Sequence, residues 1–227
     1  MNTKQVQLNL KHNGYFYKGE IDGIVGPQTC TAIEDFQVNC GLKPDSIVGI
    51  KTTSRLLFET KCVQYLINCY GYSPKLVVDG LVGDKTILAI KWLQGKFNEK
   101  SDGLVGISSR KIFDNILTPN FTPTNDPLAF KCHCGNNNPV NYRIRCMLEF
   151  MRERTKSPII VTSGKRCPIC NKQVGGVANS VHLKGLAVDF HPKNTKLSLV
   201  KQWAIGLGAN YSYYGTKGMG NAIHVNY

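Results

Sequence analysis

A shift of 57 residues lays the first half of the chain on itself, and this internal duplication constrains the fold more than any other feature. The shift places Ile21-Asp-Gly-Ile-Val-Gly26 on Val78-Asp-Gly-Leu-Val-Gly83, and Thr29, Ala32, Ile33 and Gln37 on Thr86, Ala89, Ile90 and Gln94. It also carries Asp45, Val48 and Gly49 onto Asp102, Val105 and Gly106. One constant offset across so many positions marks a repeated structural unit.

Each unit reads as three short helices joined by glycine turns. An apolar helix (Val6 to Leu10, and Val63 to Ile67) leads into a turn, then an Asp-Gly turn with a second glycine three residues on. Such turns need glycine where φ is positive. A second helix is predicted over Gln28 to Asn39 and Lys85 to Phe97, with Ile33, Phe36 and Val38 among its apolar positions. A third follows, around Thr52 to Leu57 and Ser108 to Ile112. The set Asp22-Gly23, Gly26, Thr29, Ala32, Phe36-Gln37 and its copy Asp79-Gly80, Gly83, Thr86, Ala89, Leu93-Gln94 resembles the peptidoglycan-binding-like three-helix domain. Nearly all of these residues also serve as turn and core. The resemblance therefore implies wall binding without naming a sugar contact.

The expected organisation is two-part. All-α repeats over 1–58 and 59–115 precede a linker at 116–128, whose three prolines in Thr118 to Pro127 give a stiff extended connector. An α+β domain over 129–227 follows. Its charge is lopsided, since residues 115–227 hold 14 Lys and Arg against 4 Asp and Glu in a chain of net charge +13. Such a surface suits polyanions: nucleic acid, anionic membrane, or a cell wall rich in carboxylates and phosphates. The basic residues are scattered, without aromatic interleaving in a recognised motif, which argues against nucleic acid. No stretch approaches the ~18 uninterrupted apolar residues of a membrane span. The N-terminal residues lack the charged start, apolar run and cleavage site of a secretory signal. The reading is a monomer made soluble in the cytoplasm, with no membrane insertion.

The chemistry lies between Cys170 and His224. His182 and Asp189 flank a glycine turn, Leu186 to Phe190 alternates like a strand, and Ala222 to Asn226 is its candidate neighbour. Two histidines and one carboxylate on adjacent strands would give three ligands and leave one tetrahedral position open, the arrangement of a catalytic zinc. By spacing alone the signal is weak, and each histidine fits a satisfied polar residue at a strand end better than a ligand.

The pattern Asn171, Val174, Gly175, Gly176, Asn179, Ser180, His182, Gly185, Ala187, Asp189 resembles the signature of the zinc D-alanyl-D-alanine carboxypeptidases and related phage L-alanyl-D-glutamate and muramoyl peptidases, with their hedgehog-like fold. The resemblance implies zinc held by His182, Asp189 and His224, and Arg166, in Gly164-Lys165-Arg166, facing the substrate carboxylate or the developing oxyanion. Ser180 and Tyr214 join Arg166 as expected substrate contacts; Tyr211 and Tyr213 line the cleft or fill the core, and Trp203, on a helix from Lys196 to Gly206, belongs to the core. The implied reaction is metal-assisted hydrolysis of a wall peptide by an endolysin or autolysin.

One departure bears on activity. Relatives carry an acidic residue three before the last zinc histidine or two after it, where this chain has Asn221 and Asn226. No Asp or Glu follows Asp189. Asn221 marks the expected catalytic position. Glu149 or Glu153, on a helix from Asn141 to Arg154, or His191 would have to replace the base, and the alternative is a wall-binding protein that retains zinc without cutting. The nine cysteines fit reduced thiols, or in part a metal. Cys132-His133-Cys134, Cys146 and Cys167-x-x-Cys170 offer structural-zinc donors without a second regular pair.

Overall fold

The computed structural model describes residues 1–14, 17–121, 132, 140–216 and 219–227. Most of the expected linker, with His133 and Cys134, lies outside them. The chain divides into two compact units, residues 1–116 and 117–227.

The first unit is helical: α1 (Thr3–His12), α2 (Pro27–Asn39), α3 (Ile50–Cys69), α4 (Asp84–Lys96) and α5 (Ile107–Asn115). The expected boundary between residues 58 and 59 falls inside α3. The third helix of the first repeat runs directly into the first helix of the second, because Phe58 to Cys62 holds neither glycine nor proline and carries helix-compatible side chains. The two repeats are also stapled together. The buried Asn9 side chain donates to the Gly80 carbonyl at 2.8 Å and to Thr60 Oγ1 at 3.0 Å, while accepting from the Val82 N–H. Val38 is 63% exposed, so the apolar face of α2 is Ala32, Ile33 and Phe36, packed with Val6, Leu10 and Leu56.

Four buried glutamines organise the turns. Gln64 Nε2 donates to Asp79 Oδ1, the Leu81 carbonyl and Thr86 Oγ1, and its Oε1 accepts from the Gly80 N–H. Gln7 makes the same set with Asp22, Ile24, Thr29 and Gly23. Gln37 and Gln94 hold the Asp45 and Asp102 turns in the same way. Each Asp caps the amide two residues on, as at Leu81 (2.8 Å). The amide side chain suits this position because it offers donor and acceptor together to a turn with both needs.

The second unit packs α6 (Tyr142–Thr155) and α8 (Leu197–Gly206) on an antiparallel sheet of order β1-β2-β4-β3, formed by Ile159–Ser163, Ala187–Pro192, Ile223–Asn226 and Tyr211–Tyr214. Short α7 (Pro168–Gln173) and a 3-10 helix (Val181–Lys184) lie between β1 and β2. Strand alternation sorts the faces. Val188, Phe190, Ile223 and Val225 are fully buried, with Met147, Leu148, Met151, Val200 and Ala204 from the helices. The intervening residues are polar and form one row across all four strands, since Ser163 pairs with Asp189, Asp189 with His224, and His224 with Tyr213. Among the described residues no helix is long and apolar enough to cross a membrane.

Candidate metal centre and its cavity

Asp189 and His224 meet because antiparallel pairing sets them directly opposite each other on the same face of the sheet. His182 arrives from the 3-10 helix, not from a strand as its spacing suggested. Gly185, at φ +69°, ends that helix and turns the chain into β2. The three donor groups lie within 4.8 Å of one another. His224 Nδ1 is 2.8 Å from Asp189 Oδ1, His182 Nε2 is 3.3 Å from His224 Nδ1, and His182 Nε2 is 3.4 Å from Asp189 Oδ2.

These separations suit a tetrahedral ion. Ligand bonds of about 2.05 Å place neighbouring donors about 3.3 Å apart. The tautomers agree as well. His182 Nδ1 lies 2.7 Å from the Gly164 carbonyl, which can only accept, so Nδ1 carries the hydrogen and Nε2 presents its lone pair. His224 must then bind through Nδ1 and carry its hydrogen on Nε2, 3.5 Å from the Asn226 amide. A half-turn of that amide would present its oxygen. Burial alone would raise the Asp189 carboxyl, but His182 and His224, which donate to it when a proton instead of a metal sits on their inner nitrogens, hold it well below the ordinary carboxylate range.

Arg166 is positioned from two sides. Its Nη2 donates to Asp189 Oδ2 at 2.8 Å and its Nε to Ser163 Oγ at 2.9 Å. Its backbone N–H meets the His182 carbonyl at 3.1 Å, which ties the loop after β1 to the 3-10 helix. Of the two glycines in the Asn171 to Gly176 stretch, Gly175 takes a positive φ of +70° with open space around it, and Gly176 has a packing role. The buried Asn171 amide donates to the Val177 carbonyl at 2.9 Å, and a Cβ on Gly176 would collide with that amide.

The group forms the floor of a cavity of about 790 Å³ in the second unit. Among the described residues its wall includes Lys165, Arg166, Ser180, Tyr211 and Tyr213, and its one carboxylate is Asp189. Tyr213 stacks on His224 with ring centroids 4.8 Å apart. Burial and the nearby Asp189 charge push its hydroxyl up, so it remains a hydrogen-bond donor at neutral pH.

The structure gathers His182, Asp189, His224, Arg166 and Ser180, and leaves other expected residues out. Tyr214 is 40% exposed and not part of the wall, because the two-residue period of β3 turns Tyr211 and Tyr213 to the cavity instead. Asn221 is exposed in the turn before β4, where Ala222 and His224 are the residues that face inward. Glu149 is committed elsewhere, accepting from the backbone N–H groups of Asn120 and Phe121. Glu153 is exposed, and His191 does not line the cavity. Trp203 is half-buried beneath the Arg154 guanidinium, not in the core. Sequence left Tyr213 open between cleft and core and named Asn171 and Gly164 only as members of motifs; the register of β3 on β4 is what turns Tyr213 to the cavity.

Residues 122–226 match the family model described as peptidase M15, and residues 2–56 the model described as a putative peptidoglycan binding domain. The chain is 28% identical over 132 residues to the zinc D-Ala-D-Ala carboxypeptidase of Streptomyces albus G, covering 53% of this chain and 52% of that protein. It is 42% identical over 57 residues to a spore cortex-lytic enzyme of Bacillus cereus and 43% over 58 to that of Bacillus subtilis. Each match covers 25% of this chain, and 22% and 19% of those enzymes. The chain thus spans about half the length of the carboxypeptidase and about a fifth of the cortex-lytic enzymes. Its N-terminal residues thus match a peptidoglycan-binding domain and its C-terminal residues the peptidase M15 family.

Proposed function

We propose that the chain is a zinc-dependent peptidoglycan peptidase of the endolysin or autolysin kind, cutting a peptide bond in the stem peptide or cross-link while its helical repeats hold it on the wall. The sheet with its two helices is read as the hedgehog-like arrangement, and the second repeat, residues 59–115, as a further wall-binding module. The observation that carries the proposal is the convergence of His182, Asp189 and His224 on the floor of a cavity walled by Arg166 and Tyr213.

Zinc held by the three residues would supply Lewis-acid polarisation of the scissile carbonyl and activation of water. The protein does the rest. Gly164 fixes the His182 tautomer, and Arg166 orients Asp189 while offering further N–H donors to a substrate carboxylate. Tyr213, kept protonated, donates to the oxygen on which charge develops. The basic wall favours peptides that end in carboxylates.

The wall-binding alternative has its own support, since Asp189 is the sole carboxylate among the described wall residues and is already committed to the two histidines and Arg166. New-amine release from purified peptidoglycan by the zinc-loaded protein decides between them, with His182→Ala as the blank and Asn221→Asp beside it. Release by the unaltered protein, absent from His182→Ala, is the expected result. Release only by Asn221→Asp would restore position 221 to the catalytic role expected from sequence. Silence from both with zinc bound would leave a wall-binding protein.

A further inference from the structure

A second group of soft donors lies in the same unit. Cys132, Cys167 and Cys170 bring three sulfur atoms within 4.8 Å of one another. Cys132 and Cys170 are 4% and 2% exposed, and Cys167 is half-buried. Backbone amides point at two of the sulfurs. The Cys167 N–H meets Cys132 Sγ at 3.2 Å, and the Cys170 N–H meets Cys167 Sγ at 3.4 Å. A metal-bound sulfur accepts N–H donors of this kind. The Cys167-Pro168-Ile169-Cys170 turn directs both of its sulfurs to one side, and Cys132 reaches the same point from 35 residues earlier. Cys146, buried on α6, is not a member of the group.

We propose that Cys132, Cys167 and Cys170 hold a second, structural zinc ion in the wall of the cavity that holds His182, Asp189 and His224, a wall to which Cys132 and Cys170 both belong. Three thiolates select a thiophilic d10 cation over magnesium or calcium. Zinc–sulfur bonds of about 2.3 Å would set the sulfurs about 3.8 Å apart, which sulfurs lying within 4.8 Å of one another accommodate. Among the described residues the group has three members, one donor short of a closed tetrahedral site. The ion would act on the first centre through the chain. Cys167 directly follows Arg166, whose guanidinium holds Asp189, and Gly164, three residues before Cys167, fixes His182. Binding Cys132 to this loop would brace a stretch that belongs to no strand.

The test is metal content and cobalt spectroscopy on the full chain. In the His182→Ala/His224→Ala double variant one tightly held zinc per chain is expected to remain. Cobalt exchanged into that variant is expected to give a near-ultraviolet thiolate-to-metal charge-transfer band, whose intensity counts the sulfur donors. Cys167→Ser and Cys170→Ser should each lose the band and that zinc, while the His/Asp centre keeps its own. A metal-free double variant, a cobalt spectrum without the thiolate band, or a disulfide within this cluster found by mass spectrometry would overturn the proposal. The double variant decides the question even where the cysteine variants fail to fold.

Discussion

Replacing Gln64 by leucine tests the logic of the helical repeats directly. Leucine matches much of the glutamine volume, so packing changes little and the loss is polar. Gln64 is 2% exposed and makes four hydrogen bonds to the Asp79 turn. Asp79 is exposed and keeps the Leu81 N–H, and the Leu81 carbonyl keeps a long bond from Thr86, so these groups are partly compensated. The Gly80 N–H is buried and is left without its acceptor. One orphaned buried donor costs about 1–3 kcal/mol, and the weakened bonds add about 1 kcal/mol more, for a total of about 2–4 kcal/mol. In a unit of 116 residues this lowers the melting temperature by about 8–16 °C at roughly 4 °C per kcal/mol. Urea denaturation of the full chain, followed by far-ultraviolet circular dichroism, gives the free energy. Gln64→Glu sharpens the test. It keeps an acceptor for Gly80 but sets a carboxylate against Asp79 and the Leu81 carbonyl, raising its pKa in the folded state. The folded protein then binds the extra proton more tightly, so this variant alone should recover stability as pH falls. A Gln64→Leu cost below about 0.5 kcal/mol would refute the reasoning.

Burial pushes the imidazole of His12 below its ordinary value, against its bond to the Gly103 carbonyl, so the folded unit favours the neutral ring. Stability is then full above the ordinary imidazole value of 6.5 and falls as pH drops through it, because the unfolded chain takes a proton that the folded one resists; urea midpoints at neutral and mildly acid pH should show this limb, and His12→Gln should remove it. Tyr213→Phe is expected to lower amine release about 10-fold or more with zinc content unchanged, while Tyr214→Phe leaves both alone; equal effects would remove Tyr213 from the proposed mechanism. Gly176→Ala forces a Cβ into the Asn171 amide and should cost about 1–3 kcal/mol with reduced zinc retention, read by denaturation and metal analysis; a neutral result would mean that the loop gives way freely.

The sequence by itself determined the duplication, the helices near their observed bounds, and the three candidate metal-binding residues. These were legible because each is local: a glycine turn, an apolar period, or a donor at fixed spacing in a motif. It did not show where one repeat ends and the next begins. That depended on α3 running unbroken and on Asn9 reaching residues 51 and 71 positions away. It missed Gln7 and Gln64, although both obey the 57-residue shift, because a lone glutamine on a helix carries no mark of burial. Tertiary structure also chose Tyr213 over Tyr214, since strand register decides which side chains share a face and a slip of one residue reverses the choice. Asn221 follows only from the family resemblance, which puts an acidic residue three before the last histidine, and the turn before β4 leaves it exposed. The cysteine cluster shows the same limit from the other side. Cys167 and Cys170 are a visible pair, but the third sulfur comes from 35 residues earlier, and only folding brings it within reach.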